Sequence, residues 1–263
     1  MHPGSIPGEA STSRNGPGER IAVERVIEGR AARAWSGQTK MTADFSELRV
    51  KMVDGQLRTT DVTSLPLLSA MLTVPREAFV PDSRKALSYI DENILISEKA
   101  GPGARYLMKP SPFAKMVQLA EIGPDDKVLD VGSGTGYSAA VLSGLAKSVV
   151  ALESDDSLAD KAASTLAGLG CGNVSVVRGD LKAGHKAGAP YDVIVVEGSV
   201  DELPEALTGQ LAEGGRLVVV VGHGAAGVAR IYLKSNGVAT GRRAFNAAVK
   251  SLPGFERTPA FEF

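Results

Sequence analysis

Lys127-Val128-Leu129-Asp130-Val131-Gly132-Ser133-Gly134-Thr135-Gly136-Tyr137 is the stretch that decides the fold. Val128, Leu129 and Val131 make a short apolar run, which reads as a buried strand. Glycines then fall at every second position, Gly132, Gly134 and Gly136, and Ser138 opens a helical pattern. A strand that feeds a glycine-rich turn and then a helix is how an open α/β sheet builds a nucleotide site. Without Cβ atoms a ligand can approach the backbone closely.

Downstream, strand and helix alternate. Strands are predicted over 127–131, 148–153, 174–178, 191–196 and 216–221, with helices at about 137–145, 155–169 and 202–212 between them. This pattern predicts an α/β fold, a Rossmann-like, doubly wound, mostly parallel sheet. After Gly222 the helical pattern stops. Residues 228–233, 241–245 and 260–263 read as strands, with a turn at Ser235-Asn236-Gly237, so the sheet ends in antiparallel strands.

Upstream, the chain reads as a helical lead-in. Asp44 is placed to N-cap a helix that carries Phe45, Leu48, Met52 and Val53 on one face. A second helix carries Val62, Leu65, Leu68 and Leu72 and is interrupted early by Pro66. A proline-bracketed loop follows from Val74 to Pro81, then a short helix and an extended piece at 93–96. Residues 100–112 are rich in Gly and Pro, and Phe113, Met116, Val117 and Ala120 mark a further helix. The organisation is thus a disordered tail over 1–40, a helical cap with a loop over 41–112, and an α/β domain over 113–263. The tail lacks the apolar core of a secretory signal and holds at most a short helix near 21–35. Met41 begins the well-patterned part and is an alternative start.

Composition narrows the function. The net charge is −1, from 29 basic and 30 acidic side chains, so no basic field invites nucleic acid or a membrane surface. Cys171 is alone and sits between two glycines, which excludes an internal disulfide and suits a small turn residue. His2, His185 and His223 show no metal-ligand spacing. No apolar run is long enough to span a membrane, and the expected location is the cytoplasm.

Spacing decides what the glycine turn holds. In the dinucleotide fingerprint the third glycine would fall on Tyr137, which does not fit. The pattern Asp130-x-Gly132-x-Gly134-x-Gly136 instead resembles the first motif of S-adenosylmethionine-dependent methyltransferases. That ligand has no pyrophosphate; it has an ammonium, which suits an acid such as Asp130 beside Ser133. Glu153, followed by Ser154, ends the second strand, where a carboxylate can accept from both ribose hydroxyls. Asp180 follows the third strand and can accept from an adenine amino group while Leu181 packs the ring; its plain alternative is a helix cap. Glu197 ends the fourth strand and either faces the reaction site or is an ordinary strand-end acid.

The chain resembles the protein-L-isoaspartate (D-aspartate) O-methyltransferase family. The resemblance rests on Val74-Pro75-Arg76 with Phe79-Val80-Pro81, on the motif over 130–137, and on Gly214-Gly215-Arg216-Leu217-Val218. It implies methyl transfer from S-adenosyl-L-methionine to the α-carboxylate of isoaspartyl residues in proteins or peptides, the opening step of their repair. It also implies that the lead-in lies over the cofactor pocket and that the loop at Tyr106, Leu107, Met108 and Lys109 meets the substrate. The family's loop reads Gly-Gln-Thr-Ile-Ser, then one residue and Pro. Aligned on Pro110, Tyr106 stands for the threonine and Met108 for the serine, whose hydrogen bonding methionine cannot supply. A carboxylate acceptor is already ionised, so no catalytic base is named. Two other readings stay open: a diverged methyltransferase with another acceptor, and a cofactor-binding protein without transfer activity.

Overall fold

Asp44 does cap the first helix. In this computed structural model, which describes residues 44–98, 100–101 and 103–256, its Oδ1 accepts from the N–H groups of Ser46 at 2.9 Å and Glu47 at 3.3 Å. The expected tail and the strand at 260–263 lie outside the described residues. Helix α1 (Phe45–Met52) continues through a wider turn, Val53–Leu57, which carries Gly55. Helix α2 (Leu65–Thr73) starts at Leu65, so Pro66 sits in its first turn and initiates rather than interrupts it. Its inward face also differs from the expected stripe. Leu67, Leu68 and Met71 are buried, while Leu65 is 70 % exposed. With the helix beginning at Leu65, Val62 precedes it and does not set its phase.

Short 3-10 turns at Arg76–Phe79 and Asp82–Leu87 replace the expected short helix. The extended piece forms strand β1 (Ile94–Leu95), paired antiparallel with β2 (Tyr106–Leu107) through Ile94 opposite Leu107. Ile96 and Ser97 bond the backbone of Arg105 and so strap these two together. Helix α3 (Pro110–Ala120) buries Phe113, Met116, Val117 and Ala120, the expected face.

The main sheet then forms. β3 (Lys127–Val131) leads into α4 (Tyr137–Ser143), β4 (Ser148–Glu153), α5 (Asp156–Gly168), β5 (Val174–Arg178), β6 (Tyr191–Val200), α6 (Glu205–Gly209), β7 (Leu211–Val221), β8 (Val228–Ser235) and β9 (Val238–Asn246). The strand order is β5-β4-β3-β6-β7-β8-β9, parallel up to β7 and antiparallel beyond. α6 is far shorter than the expected 202–212. Pro204 delays its start, and Leu211 already pairs with Tyr191 as part of β7. Between β7 and β8 stands a single 3-10 turn (Gly224–Ala226), too short for a crossover, so the chain doubles back.

Successive side chains of β3 turn to opposite faces of the sheet, and both faces are buried. Leu129 and Val131 join one core cluster with Ile194, Val196 and Leu217. Val128 joins the other, with Val193, Val218 and the cap residues Met52, Leu67, Met71 and Phe79. Asp130 has the parity of Val128. The pleat therefore aims its carboxylate at the cap side, where helix α4 starts.

Candidate functional site

At the carboxyl end of β3, Asp130 is fully buried. Its Oδ2 accepts from Ser138 Oγ at 2.6 Å, and its Oδ1 has no partner. Burial pushes this carboxyl up to about 7, and the negative Glu153 adds to the rise; the Ser138 hydrogen bond and the Arg105 charge oppose it. The turn that follows needs its glycines for two separate reasons. Gly132, Gly134 and Gly136 all take positive φ, at 82°, 57° and 95°. A Cβ on Gly136 would stand 3.1 Å from Ala162 Cβ and from Leu166 Cδ1, so this glycine serves the packing of α5. At Gly132 and Gly134 the space is taken by side chains from distant segments: Leu252 and Arg105 over the first, Ile96 over the second.

Glu153 ends β4 and is also fully buried. Its Oε2 accepts from Gly134 N–H at 2.7 Å. Its Oε1 accepts from Arg105 at 2.5 Å and from the N–H groups of Ser154 at 2.8 Å and Asp155 at 3.0 Å. Glu197, on β6, keeps a buried Oε1 without a hydrogen-bond partner. Burial raises its carboxyl well above the usual range, and Asp130 reinforces this, against the charges of Arg76 and Arg105. Ser133 Oγ is likewise buried without a partner.

The structure thus gathers Asp130, Gly132, Ser133, Gly134, Glu153 and Glu197. Ser154 is exposed but bonds Glu153 through its N–H. The others lie elsewhere. Asp180 is exposed, and its Oδ1 accepts from Lys182 N–H at 3.0 Å, a turn bond. Leu181 points into the core cluster with Leu152 and Leu211. In the loop, Leu107 and Met108 are buried. Met108 turns its side chain into the core and its carbonyl to Arg76, at 2.6 Å from Nη2. Tyr106 is half-buried, with Lys250 Nζ 5.2 Å from its ring centre. Lys109 caps the start of α3 and donates its N–H to Asn93 Oδ1 at 3.3 Å.

Sequence reasoning missed Arg105, Ile96, Arg76 and Leu252, which line or support the turn from far along the chain. It also missed a polar group at the ends of β6 and β7. There Ser251 Oγ lies 3.4 Å from Ser199 Oγ and 3.3 Å from His223 Nδ1, and His223 Nε2 lies 2.5 Å from Asp201. The usable signal for Arg105 was its place inside a Gly/Pro-rich loop, one residue before Tyr106.

Buried, unpartnered oxygens on Asp130, Ser133 and Glu197 suit a ligand that brings an ammonium and other donors. Glu153 suits a pair of ribose hydroxyls. The donor set therefore fits S-adenosylmethionine.

Comparisons with known proteins agree. A family model described as protein-L-isoaspartate(D-aspartate) O-methyltransferase matches residues 49–249. Protein-L-isoaspartate O-methyltransferase 1 of Rhodopseudomonas palustris (strain HaA2) is 42 % identical over 178 residues, 68 % of this chain and 71 % of that protein. The enzyme of the same name from Koribacter versatilis (strain Ellin345) is also 42 % identical over 178 residues, covering 78 % of its length. A solved protein-L-isoaspartate O-methyltransferase superposes with a TM-score of 0.70 at 29 % identity, over 78 % of this chain and 66 % of that one.

Proposed function

The chain belongs to the protein-L-isoaspartate(D-aspartate) O-methyltransferase family, and from that membership we propose that the acceptor is the α-carboxylate of isoaspartyl residues and that the pocket at the glycine turn holds the methyl donor. The enzyme is an S-adenosylmethionine-dependent methyltransferase with a Rossmann-like sheet. Among the described residues no helix is long and apolar enough to cross a membrane.

One observation carries the site reading: Asp130, Ser133 and Glu197, at the neighbouring ends of β3 and β6, each keep a buried oxygen without a partner, and Glu153 bonds the same glycine turn. In this reading Asp130 takes the ammonium, Glu153 the ribose hydroxyls, and Ser133 and Glu197 polar edges of the amino-acid end. Asp180 and Leu181 join only if the turn after β5 moves inward. The bound cofactor supplies an electrophilic methyl group and a neutral leaving thioether. The chain's own part is to hold donor and acceptor in line and to keep water out. An ionised acceptor needs no base.

Two measurements test this. Labelled S-adenosylmethionine is incubated with an isoaspartyl peptide and with its aspartyl twin; label on the first alone is expected, and label on neither sinks the acceptor. Asp130→Ala and Glu153→Ala are each expected to weaken cofactor binding by about 1–3 kcal/mol, the scale of a lost charge-assisted hydrogen bond. Unchanged affinity in both variants would mean the pocket is misplaced. A second reading, another acceptor, draws on Met108: no hydroxyl stands at that point of the loop, and the side chain there is buried.

A further inference from the structure

Arg105 is a cation sunk into the site. Its side chain is 6 % exposed, and Nη1 lies 2.5 Å from Glu153 Oε1. Nη2 donates to the carbonyl of Gly132 at 2.9 Å. The strap between β1 and β2 pins it there. The Arg105 carbonyl accepts from Ile96 N–H at 2.9 Å, and its N–H donates to Ser97 Oγ at 3.1 Å. Ile96 closes the other side of the turn, with Cδ1 2.6 Å from where a Cβ on Gly134 would stand. The glycine turn is therefore covered twice by its own chain.

Glu153 Oε1 is already crowded while Arg105 holds it. A carboxylate offers about four lone-pair sites. Here Gly134, Ser154 and Asp155 donate backbone N–H groups, Arg105 donates from its guanidinium, and Ser154 Oγ stands at 3.4 Å. The backbone donors belong to the turns around Glu153 and stay with it. Arg105 reaches in from another element and can leave.

We propose that Arg105 is a displaceable internal counter-ion that competes with the cofactor's ribose for Glu153 and thereby sets cofactor affinity. The proposal rests on the assignment of Glu153 to the ribose hydroxyls. It makes Arg105 a positioning residue, one that acts through Glu153. It also accounts for a cation where the family's loop carries glutamine.

The test is calorimetric titration of S-adenosylhomocysteine into the wild type, Arg105→Gln and Arg105→Lys, each shown to be folded by its thermal midpoint. Removing the competitor is expected to tighten binding about tenfold in Arg105→Gln. Lysine keeps the charge but cannot bond Glu153 and Gly132 together, so its affinity is expected between the two. Wild-type binding with equal or weaker binding in Arg105→Gln overturns the proposal and leaves the pocket standing. Binding in neither protein overturns the pocket and the proposal with it. Should Arg105→Gln fail to fold, nitrogen NMR of the wild-type arginine side chains decides. The Arg105 guanidinium signals, slowed by the ion pair, are expected to change on adding S-adenosylhomocysteine, and unchanged signals overturn the proposal.

Discussion

Asp130 shows how one residue trades stability for binding. Its carboxyl sits near 7 in the fold against an ordinary 3.8, chiefly because it is buried. Below about pH 4 the folded and unfolded chains both hold the proton, and the residue adds no pH dependence. Between about 4 and 7 the unfolded chain ionises while the native one stays protonated, so stability falls as pH rises. Above about 7 the native carboxyl ionises too, and the penalty stays at its full size. Asp130→Asn removes the charge and keeps a group that can meet Ser138. The variant is expected to melt at a higher temperature than the wild type at pH 8, with the gap closing by pH 4, and to bind the cofactor more weakly. Calorimetric melts across that range check it; a gap of equal size at both ends would show that Asp130 ionises normally in the fold. The same scale shows what the sequence could reveal of the site. Asp130 and Glu153 were legible because each ends an apolar run beside a turn. Arg105, Ile96 and Leu252 were not, because their contacts with Gly132 and Gly134 join segments with no local pattern in common.

At the scale of elements, legibility follows how far burial is periodic. β3, β4 and β5 match their expected bounds, because each is a short β-rich run with turn residues on both sides. β6 and β7 run longer than expected, and β7 absorbs the glycines at 214 and 215 through a register shift. Apolar content alone could not mark that, since glycine there reads as a break. Helix α2 shows the opposite failure. Apart from Ser69 and Thr73 its residues are apolar, so leucines fall on both faces and apolar content alone could not say which of them turn inward. The structure buries Leu67 at 1 % exposure and leaves Leu65 at 70 %. Leu67→Ala is accordingly expected to cost about 2–5 kcal/mol, as full truncation in a core does. Leu65→Ala is expected to stay within about 0.5 kcal/mol. Urea titrations of the two variants compare them, and equal losses would mean that the face is assigned wrongly.

At the scale of the molecule, the cap and the sheet share one core, and a second arginine besides Arg105 ties them. Arg76 is fully buried. Its Nε donates to Ser88 O at 2.7 Å and its Nη2 to Met108 O at 2.6 Å, while the guanidinium lies 4.6 Å from the ring centre of Tyr137, the first residue of α4. One side chain thus fixes two cap segments to the helix that begins at the glycine turn. Burial lowers its basicity, and the aromatic face and carbonyls around it offset part of that cost. Around this tie runs a single apolar cluster, from Met52, Leu67 and Met71 through Phe79, Phe113 and Tyr137 to Val128 and Val193. A cap that shares its core with the sheet has no surface of its own on which to come apart. Arg76→Met keeps much of the volume but leaves the Ser88 and Met108 carbonyls without their donor, at about 1–3 kcal/mol each. The variant is therefore expected to unfold in one transition at lower temperature, with far-UV and near-UV signals lost together. Two separated transitions, the first removing protection from residues 44–109 alone in amide exchange, would show instead that the cap is an independent unit held mainly by this arginine. In that event Tyr137 and the glycine turn would keep their fold with the cap released, and cofactor affinity would report the cap's share in closing the pocket.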